Sequence, residues 1–527
     1  MMGHTPGLPT DPGRVAFVGA GPGDLGLLTV RAVNYLQCAD ALVVDPDVPL
    51  EGSIIARWCP QDIDVIEVDG RRPLVEIAAN YPGGLVVRLM LGDPAVFSGL
   101  SDEALACAEA GVPFEVVPGV SLVTAVPSYA GVPLTSSDST GVYVLSARQR
   151  GTDLRHLVDP WLTVVVLGNV EDVRATFGEL LAAGRDPLTP VAVTAQGTSV
   201  RQRTTTIELG GYAHGLKGLE SPVLAVVGSP VALRERLSWF ETKPLFGWRV
   251  LVPRTQAQAG TMTERLEMYG AEPTVVPTLS VEPPRNPQQL ERAVRGLVLG
   301  RYEWVGFTSA NAVRALREQF EALGLDVRSV AGVKVAAVGG ATAEALRAWG
   351  IIPDLLPESE QSARGLLEAW PAHDEDDPIN RVFLPRADIA TETLVAGLLE
   401  LGWEVDDVTA YRTVRAAPPA PWIRDAIKGG AFDAVLFTSS STVRNLVGIA
   451  GKPHPTTIIG CIGPATARTA EELGLRVDVL AAEASATVLV DGLAEHAAAR
   501  ARAVAETGTG VVRPSQRRAG NRRKERS

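Results

Sequence analysis

The sequence has 527 residues, of which 46% are hydrophobic and 21% charged, and its formal net charge is −12. This length is too great for one hydrophobic core, and at about 100–200 residues per domain it predicts three or four folding units. The acidic balance argues against a nucleic-acid-binding protein. No apolar run approaches the roughly 20 residues that cross a bilayer, so we expect neither nucleic acid nor a membrane as a partner.

Cysteine and histidine are scattered along the chain. The four cysteines, at 38, 59, 107 and 461, have no paired spacing and the six histidines form no cluster, so we expect free thiols and no metal site. Residues 1–13 lack the basic start and apolar core of a signal peptide, which favours a cytoplasmic protein. Residues 498–527 end in a basic stretch that predicts a solvated disordered tail, with a nucleic-acid arm as the alternative.

The first half opens as a strand, a tight loop and a helix. Residues 14–19 are an apolar run that enters Gly19-Ala-Gly-Pro-Gly-Asp24, and apolar residues then recur at helical spacing to Leu36. A dinucleotide fingerprint of the form G-x-G-x-x-G would need glycine at Asp24, and Pro22 removes an amide that a pyrophosphate requires. The pattern therefore predicts a strand-loop-helix unit without a nicotinamide site.

Short apolar strands follow, several of them separated by helical patterns, and this order predicts an α/β fold class. They are predicted at 41–45, 84–89, 114–117, 142–145, 163–167, 191–194 and 223–227. Glycine and proline cluster just past strand ends, at 92–94, 118–120 and 131–133. Because glycine has no side chain to obstruct a ligand, such loops let the backbone approach one closely, although tight turns alone would explain any single loop.

Taken in order over residues 14–240, these segments resemble the S-adenosylmethionine-dependent uroporphyrinogen-III C-methyltransferases of the sirohaem and cobalamin pathways. The resemblance is carried by residues 18–24, 27–29, 39–45, 86–88, 92–94, 96–97, 110–120 and 129–135. It implies two α/β subdomains with S-adenosylmethionine in the cleft between them. The cofactor-binding residues that it implies are Pro22, Gly92, Asp93, Val96, Phe97, Thr124 and Ala125, together with Leu167, which stands where the family has methionine.

The sequence departs from this family in one loop and at two charged positions. Residues 91–103 read Leu-Gly-Asp-Pro-Ala-Val-Phe-Ser-Gly-Leu-Ser-Asp-Glu, where the family has a loop richer in glycine. Asp45 keeps the acid of the family but is followed by Pro46 where the family has arginine, and Arg71 replaces a lysine that is a candidate for proton transfer. Arginine keeps the charge but cannot release a proton near neutrality. Asp45 and Arg71 are therefore the catalytic candidates, and a degenerate domain is the alternative.

The junction at 241–255 contains a new buried-type strand, which opens a second half with an internal repeat. The repeated pairs are 249–254 with 381–386, 305–314 with 435–444, and 338–343 with 462–467. Two similar α/β lobes are implied, each with a parallel sheet built from strand-loop-helix units.

The repeated motifs place polar residues past strand ends, where ligands bind in open parallel sheets. Each motif opens a helix, and helix N-termini offer unpaired amides, so two facing lobes would make a cleft suited to a multiply anionic ligand. For any one serine or threonine, capping its own helix is the alternative. The candidate substrate-binding residues are Thr308, Ser309, Gly339, Thr438, Ser439 and Gly463, with Arg254, Arg386 and Arg412 as partners for carboxylates.

Residues 248–497 closely resemble uroporphyrinogen-III synthase. The resemblance is carried by 251–254, 266–270, 307–313, 338–343, 384–386, 411–413, 437–441 and 462–466. It implies closure of linear hydroxymethylbilane into uroporphyrinogen III, with inversion of the last pyrrole ring, loss of water and no cofactor. The eight carboxylates of that substrate match the amide-lined cleft.

This second resemblance also implies roles for particular residues. It adds Asn311, Thr342 and Thr466 to the substrate-binding set and makes Tyr411 the candidate that assists departure of the hydroxyl group. A tyrosine that is merely packed is the alternative for Tyr411. One lobe would consist of 248–283 with 412–497, and the other of 284–411.

Together the two halves predict a bifunctional enzyme of tetrapyrrole biosynthesis, because the product of the second half is the substrate of the first. The expected ligands are small tetrapyrroles and, for the first half alone, S-adenosylmethionine. Methyltransferases of this family are usually dimers, so we expect a homodimer through residues 14–240. The alternative is a working synthase whose N-terminal domain serves as a binding or assembly module.

Overall fold

The computed structural model describes residues 13–48, 54–67, 73–148, 153–357, 360–374, 378–389, 391–506 and 512–516. They form two compact units. The first unit runs to Trp248 and includes Leu266–Glu272 and Ala497–Arg500, and the second holds Arg249–Arg265, Pro273–His496 and the residues from Ala501 onward. Arg71, one of the two catalytic candidates of the first half, lies outside the described residues. Among the described residues, no helix combines the length and the apolar character needed to traverse a membrane.

The first unit begins with a parallel sheet of strand order β3-β2-β4-β1-β5. Its elements are β1 Arg14–Gly19, α1 Val30–Gln37, β2 Ala41–Val44, α2 Ile54–Trp58, β3 Asp64–Glu67, α3 Leu74–Ala79, β4 Leu85–Met90, α4 Leu100–Glu109, β5 Phe114–Val117 and α5 Leu122–Tyr129. In β1, Val15 and Phe17 pack into one core cluster, while Ala16 and Val18 pack into another. Both faces are covered, which explains why β1 reads as a continuous apolar run.

A second sheet, of order β6-β7-β10-β8-β9, completes the first unit. Its elements are β6 Gly141–Ser146, β7 Leu162–Gly168, α6 Val170–Ala183, β8 Pro190–Ala195, β9 Arg203–Glu208, α7 Tyr212–Gly215, β10 Val223–Val227 and α8 Arg234–Leu237. The sheet is mixed, because β6 runs parallel to β7 while β10 is antiparallel to both β7 and β8. The predicted α/β class with two subdomains is confirmed.

The second unit contains two further sheets, of order β12-β11-β18-β19-β20 and β13-β17-β16-β14-β15. Its elements are β11 Arg249–Val252, α9 Gln256–Met268, β12 Glu272–Val275, β13 Leu279–Glu282, α10 Pro287–Val298, β14 Trp304–Phe307, α11 Ala310–Ala322, β15 Lys334–Ala337, α12 Gly340–Trp349, α13 Ala363–Ala369, β16 Arg381–Ala387, α14 Thr393–Glu400, β17 Glu404–Arg415, α15 Pro421–Gly429, β18 Ala434–Phe437, α16 Ser440–Ala450, β19 Ile458–Cys461, α17 Pro464–Glu472, β20 Val479–Leu480 and α18 Ala486–Glu506.

The internal repeat of the sequence is a repeat of structure. Strands β11, β18 and β19 lie side by side and parallel in one sheet, as β16, β14 and β15 do in the other. Helices α16 and α17 follow β18 and β19, and α11 and α12 follow β14 and β15. We name the β11-containing sheet with its helices the first lobe and the β14-containing sheet the second lobe, so the prediction of two similar lobes is confirmed.

The chain crosses between the lobes slightly outside the positions expected from the sequence. Strand β13 pairs antiparallel with the end of β17, with Leu279 opposite Arg415 and Glu282 opposite Arg412. Both connecting segments therefore extend the sheet of the second lobe, and the crossings fall at 276–278 and 416–420 instead of at 283 and 412.

Two stretches within 498–527, where the sequence predicts a disordered tail, have regular structure. Helix α18 continues to Glu506, and Pro514 is buried in a short 3-10 turn. The Ser515 amide donates to one oxygen of the buried Asp433 carboxylate at 2.8 Å, and the Arg249 amide donates to the other at 2.9 Å. The prediction of a disordered tail is thus wrong for 498–506, which continue helix α18, and for 512–516, which the Ser515 contact holds to the first lobe; 507–511 and 517–527 lie outside the described residues.

Candidate active sites

Three loops converge at the carboxyl end of the first sheet. Gly21, after β1, and Gly92, after β4, exchange backbone hydrogen bonds of 3.2 and 2.9 Å, and both have left-handed φ values, of 70° and 69°, which glycine adopts without strain. Gly119, after β5, lies so close that an added Cβ would stand 2.1 Å from the Gly92 carbonyl oxygen. The loops can meet only because these positions carry no side chains.

Asp93 ties this loop cluster together. One oxygen of its carboxylate accepts the Ala95 amide at 2.8 Å and the other accepts the Gly119 amide at 3.2 Å. Pro22 is buried in the neighbouring loop. The predicted cofactor residues Pro22, Gly92 and Asp93 therefore come together, and Asp93 shapes the backbone around them.

The apolar cofactor candidates gather in a second cluster. Val96 and Leu167 both pack against the core that joins α5 to the second sheet. On α5 itself, Ala125 is buried and Thr124 is exposed. Phe97 has a left-handed φ of 58° and is 54% exposed, which is uncommon for a large side chain. An apolar wall thus stands beside the polar loop cluster, with the Phe97 ring free at its rim.

Asp45, the catalytic candidate after β2, is held by a buried arginine that the sequence analysis missed. Arg88 of β4 is 3% exposed and contacts Asp45 at 3.3 Å, while it forms two bonds of 2.8 and 2.9 Å with Glu103 of α4. Burial lowers the pKa of the Arg88 guanidinium, but the hydrogen bonds and charges of Glu103 and Asp45 outweigh it and the pKa is raised. A lone arginine inside an apolar strand was the sequence signal for such a pair.

Asp24 at the end of the first loop also has partners that the sequence analysis missed. Its carboxylate accepts the Tyr129 hydroxyl at 2.7 Å and the Gly26 amide at 2.8 Å, and its amide donates to the Thr198 hydroxyl at 3.2 Å. Burial, together with the bond to Asp24, raises the pKa of the Tyr129 phenol. Asp24 is thereby fixed from both subdomains.

In the second unit, each lobe presents two adjacent helix N-termini at the carboxyl ends of parallel strands. Ser309 caps α11 by accepting the Ala312 amide at 3.1 Å. Ser439 caps α16 in a reciprocal arrangement in which its hydroxyl accepts the Thr442 amide and its amide donates to the Thr442 hydroxyl, both at 3.2 Å. The capping alternative thus describes both serines, which satisfy amides that a ligand would otherwise use.

The neighbouring helices α12 and α17 begin at glycines that provide no side-chain cap. The Gly340 amide of α12 donates to the Gln361 side chain at 2.9 Å, and an added Cβ at Gly339 would stand 3.0 Å from the same Gln361 oxygen. An added Cβ at Gly463, before α17, would meet nothing within 4 Å. Of the two uncapped helix starts, the one at Gly463 is therefore the more open.

The remaining hydroxyl and amide candidates divide by burial. Thr308 and Thr438 are half-buried just before the capping serines, and Asn311 is half-buried in the first turn of α11. Thr342 and Thr466 are buried in the first turns of α12 and α17. Burial removes these last two side chains from those that can reach a ligand, because the periodicity of a helix turns that position toward the core.

The three candidate arginines have different surroundings. Arg386 is 4% exposed, forms a two-pronged ion pair with Asp407 and donates to the Thr391 carbonyl oxygen at 2.7 Å. Arg412 pairs with Glu282. Arg254, at the end of β11, is half-buried, burial lowers its pKa, and its guanidinium has no hydrogen bond or ion pair with any described residue. The predicted substrate contact of Arg386 is therefore replaced by a structural role, and Arg254 keeps a free cation.

Tyr411 lies on β17, in the second lobe. Its ring belongs to the main core cluster of that lobe and the residue is 6% exposed, while its hydroxyl lies 2.9 Å from the Ser309 hydroxyl at the start of α11. The body of the tyrosine is thus packed, as the alternative expected, and its polar tip is held at a helix N-terminus.

Within the described parts of the chain, no three His, Cys, Asp or Glu side chains gather as a metal ion requires. The two candidate sites are therefore the glycine loops at the ends of parallel strands in one unit and the paired helix N-termini in the other. Family models identify their class: residues 14–211 match the tetrapyrrole (corrin/porphyrin) methylases, and residues 260–491 match uroporphyrinogen-III synthase HemD.

Individual relatives extend this match along the chain. A porphyrin biosynthesis protein HemD of Ruminiclostridium josui is 31% identical over 502 residues, which cover 92% of this chain and 98% of that one. A siroheme synthase 2 of Cronobacter sakazakii is 36% identical over 250 residues, and the match spans 44% of this chain and 53% of the relative. The crystal structure of a uroporphyrin III C-methyl transferase from Thermus thermophilus, 33% identical with a TM-score of 0.37, covers 42% of this chain and 100% of its own.

Because the alignment with the Ruminiclostridium protein spans nearly the whole of both chains, the chain belongs to that HemD family of porphyrin biosynthesis proteins. It joins a tetrapyrrole methylase to a uroporphyrinogen-III synthase, and this fusion is that of a bifunctional enzyme of tetrapyrrole biosynthesis.

Proposed function

We propose that the second half converts hydroxymethylbilane into uroporphyrinogen III and that the first half methylates this product toward precorrin-2 with S-adenosylmethionine. The observation that carries the proposal is the union of both enzyme families in one chain, aligned over 92% of its length with a porphyrin biosynthesis protein. The product of one reaction is the substrate of the other, which explains why the two families are joined.

For the synthase half, the proposed substrate carries eight carboxylates, and the chain offers the helix start at Gly463 and the free cation of Arg254 to hold them. In the proposed step the C–O bond of the hydroxymethyl group breaks, and the hydroxide departs as water after it takes a proton from Tyr411. The carbon left behind bonds first to the substituted α-carbon of the last pyrrole ring, the older bond between that α-carbon and its bridging methylene breaks, and the methylene bonds instead to the unsubstituted α-carbon of the same ring. The ring is thereby inverted, and the unsubstituted carbon releases the one proton that restores the tyrosine. We expect no cofactor in this half.

For the methylase half, the residues around the first loop cluster fit S-adenosylmethionine. The apolar wall of Val96 and Leu167 suits an adenine ring, and the loops at Gly21 and Gly92 let backbone groups approach a ligand closely. When bound, the cofactor supplies an electrophilic methyl group, so the protein has mainly to align the reacting atoms. Asp45, held by Arg88, is the proposed acid-base group among the described residues.

The remaining features of the proposal concern organisation. We place the methylase at 14–240 and the synthase at 248–497, and we expect a cytoplasmic homodimer joined through the methylase half, without a nucleic-acid partner. Exposed apolar side chains on the edge strands β5 and β6, at Phe114, Val116, Val142 and Tyr143, support self-association. Sedimentation equilibrium tests the proposed dimer, which a monomer at micromolar concentration would contradict.

An anaerobic assay with hydroxymethylbilane and S-adenosylmethionine tests the function, with the products oxidised and separated by isomer and by methylation. The expected products are the type III isomer and its dimethylated form. Type III without methylation would retain the synthase and make the first half a binding module, as its altered loop at 91–103 allows. Type I alone, the spontaneous product, would contradict the synthase assignment.

Arg254 and Arg386 occupy equivalent positions in the repeat, yet we expect their removal to act on different quantities. Arg254→Met should raise the KM for hydroxymethylbilane about tenfold and leave the free energy of unfolding nearly unchanged, because one charge-assisted hydrogen bond to substrate is lost. Arg386→Met should cost about 2–3 kcal/mol of unfolding free energy, because Asp407 loses its partner. Steady-state kinetics and urea unfolding measure the two effects.

The matched control for Arg386→Met is Arg381→Met, on the same strand. Arg381 pairs with Glu404 of β17 at the surface, at 2.5 Å, and an exposed pair contributes only about 0–1 kcal/mol. Equal losses of stability in Arg381→Met and Arg386→Met would contradict the structural role of Arg386. A normal KM in Arg254→Met would remove Arg254 from the substrate site.

A further inference from the structure

The loop between β8 and β9 holds a backbone conformation that its side chains disfavour. Gln196 and Thr198 have left-handed φ values of 48° and 65°. For a β-branched residue such as threonine this conformation is a genuine outlier. Strain of this kind persists only where the surrounding contacts over-determine it, and it concentrates at binding and catalytic sites.

The contacts of Thr198 explain how the strain is held. The residue is 2% exposed, and its amide donates to the Gln202 side chain at 2.8 Å. Gln202 in turn donates to the Glu241 carboxylate at 2.8 Å, which also accepts from Arg234 at 2.7 Å. This chain of hydrogen bonds anchors Thr198 to the end of the first unit and leaves its hydroxyl facing the first loop.

The Thr198 hydroxyl accepts the Asp24 amide at 3.2 Å, a contact between residues 174 positions apart in the sequence. The loop also packs against α5, since an added Cβ at Gly197 would stand 2.6 Å from both methyl groups of Val126. It therefore contacts the two elements that carry Pro22 and Ala125. These are proposed cofactor residues that belong to different parts of the unit.

We propose that Thr198 is a positioning residue for the cofactor, which holds the loop Gly21–Asp24 in its binding conformation through the hydrogen bond from the Asp24 amide. The inference rests on the proposed role of this loop in binding S-adenosylmethionine. It also accounts for a threonine at a left-handed position: glycine would relieve the backbone but would supply no acceptor for the half-buried Asp24 amide.

Three substitutions in the full-length chain separate positioning from folding. Thr198→Ser keeps the hydroxyl, Thr198→Val keeps the shape and the strain without it, and Thr198→Gly removes both the hydroxyl and the strain. The measurements are the Kd for S-adenosylhomocysteine by calorimetry and the Tm. We expect Thr198→Ser to bind within threefold of wild type and the other two variants to bind at least tenfold more weakly, while Thr198→Gly is at least as heat-stable as Thr198→Val.

The order of affinities decides between the two roles. If Thr198 served the fold alone, affinity would follow Tm, and the strain-free glycine variant would bind at least as well as the serine one; that result, or wild-type affinity in Thr198→Val, would overturn the proposal. Thr204→Val is the matched control, because the Thr204 hydroxyl donates to Glu241 at 2.7 Å and not to Asp24, and it should bind within twofold of wild type. A wild-type chain that bound no S-adenosylhomocysteine would instead contradict the proposed methylase function itself, and with it this role of Thr198.

Discussion

Replacement of Gly119 by alanine is expected to abolish binding of S-adenosylmethionine while the synthase reaction continues. The new Cβ would stand 2.1 Å from the Gly92 carbonyl oxygen, 2.8 Å from the Gly19 Cα and 3.0 Å from the Gly19 carbonyl carbon. All three atoms belong to the backbone, which cannot rotate away as a side chain can. The loops after β1 and β4 must therefore separate, at a cost of about 3 kcal/mol to the first unit.

Calorimetric titration with S-adenosylhomocysteine and thermal unfolding test the Gly119 prediction, and formation of type III isomer reports on the other half. Gly211→Ala is the matched control, because it makes the same change in the same unit where an added Cβ meets nothing within 4 Å. Gly211→Ala should leave the affinity for S-adenosylhomocysteine unchanged. Wild-type affinity in Gly119→Ala would mean that the convergence of the three loops does not form the cofactor site.

The parts of the fold that the sequence predicted share one physical property. Strands such as β1, β4 and β10 are covered on both faces. Nearly all of their residues are therefore apolar, and the continuous apolar run is easily recognised in the sequence. The edge strands β3, Asp64–Glu67, and β9, Arg203–Glu208, escaped prediction because exposed positions allow polar residues. Their sequences are those of loops until a neighbouring strand pairs with them.

The candidate sites show a similar division. Glycine motifs predicted which loops would meet, because a position that tolerates no side chain requires glycine and is therefore visible in the sequence. The residue that pairs with a charged side chain, in contrast, cannot be identified from the charged residue alone. Arg254 and Arg386 end the same repeated motif, but the strand beside β16 brings Asp407 to Arg386, whereas β12 beside β11 carries its one acid, Glu272, at the amino end. Only the pairing of strands distinguishes a free arginine from a neutralised one.

The contact between Thr198 and Asp24 could not be predicted from the sequence. Asp24 lies 174 residues away from Thr198, and neither residue belongs to a pattern that announces the contact. The left-handed backbone of Thr198 is equally invisible in the sequence, because threonine is disfavoured there and nothing in a single sequence signals strain. Long-range polar contacts of this kind emerge only when the subdomains are assembled.

Tyr411→Phe is expected to lower kcat for the synthase reaction about 100-fold with little change in KM, in keeping with the loss of one general acid. The Tyr411 hydroxyl is the group proposed to protonate the departing hydroxide, and its neighbour Ser309 holds it at 2.9 Å. Removal of the hydroxyl leaves the packed ring in place, so the free energy of unfolding should fall by only about 1 kcal/mol. The measurement is the initial rate of type III isomer formation under anaerobic conditions, with type I as the spontaneous background.

Tyr302→Phe provides the control for Tyr411→Phe in the same lobe and the same core cluster. The Tyr302 hydroxyl donates to Asp406 at 2.6 Å, and burial with that bond raises its pKa. Loss of the Tyr302 hydroxyl should lower the free energy of unfolding about as much as loss of the Tyr411 hydroxyl, without changing kcat. Ser309→Ala should lower kcat by a smaller factor than Tyr411→Phe, since the tyrosine keeps its proton but loses its orientation, and it should also cost about 1 kcal/mol as α11 loses its cap. Equal kcat in Tyr411→Phe and Tyr302→Phe would show that Tyr411 only packs, and the proton for the departing hydroxide would then have to come from the substrate or from water.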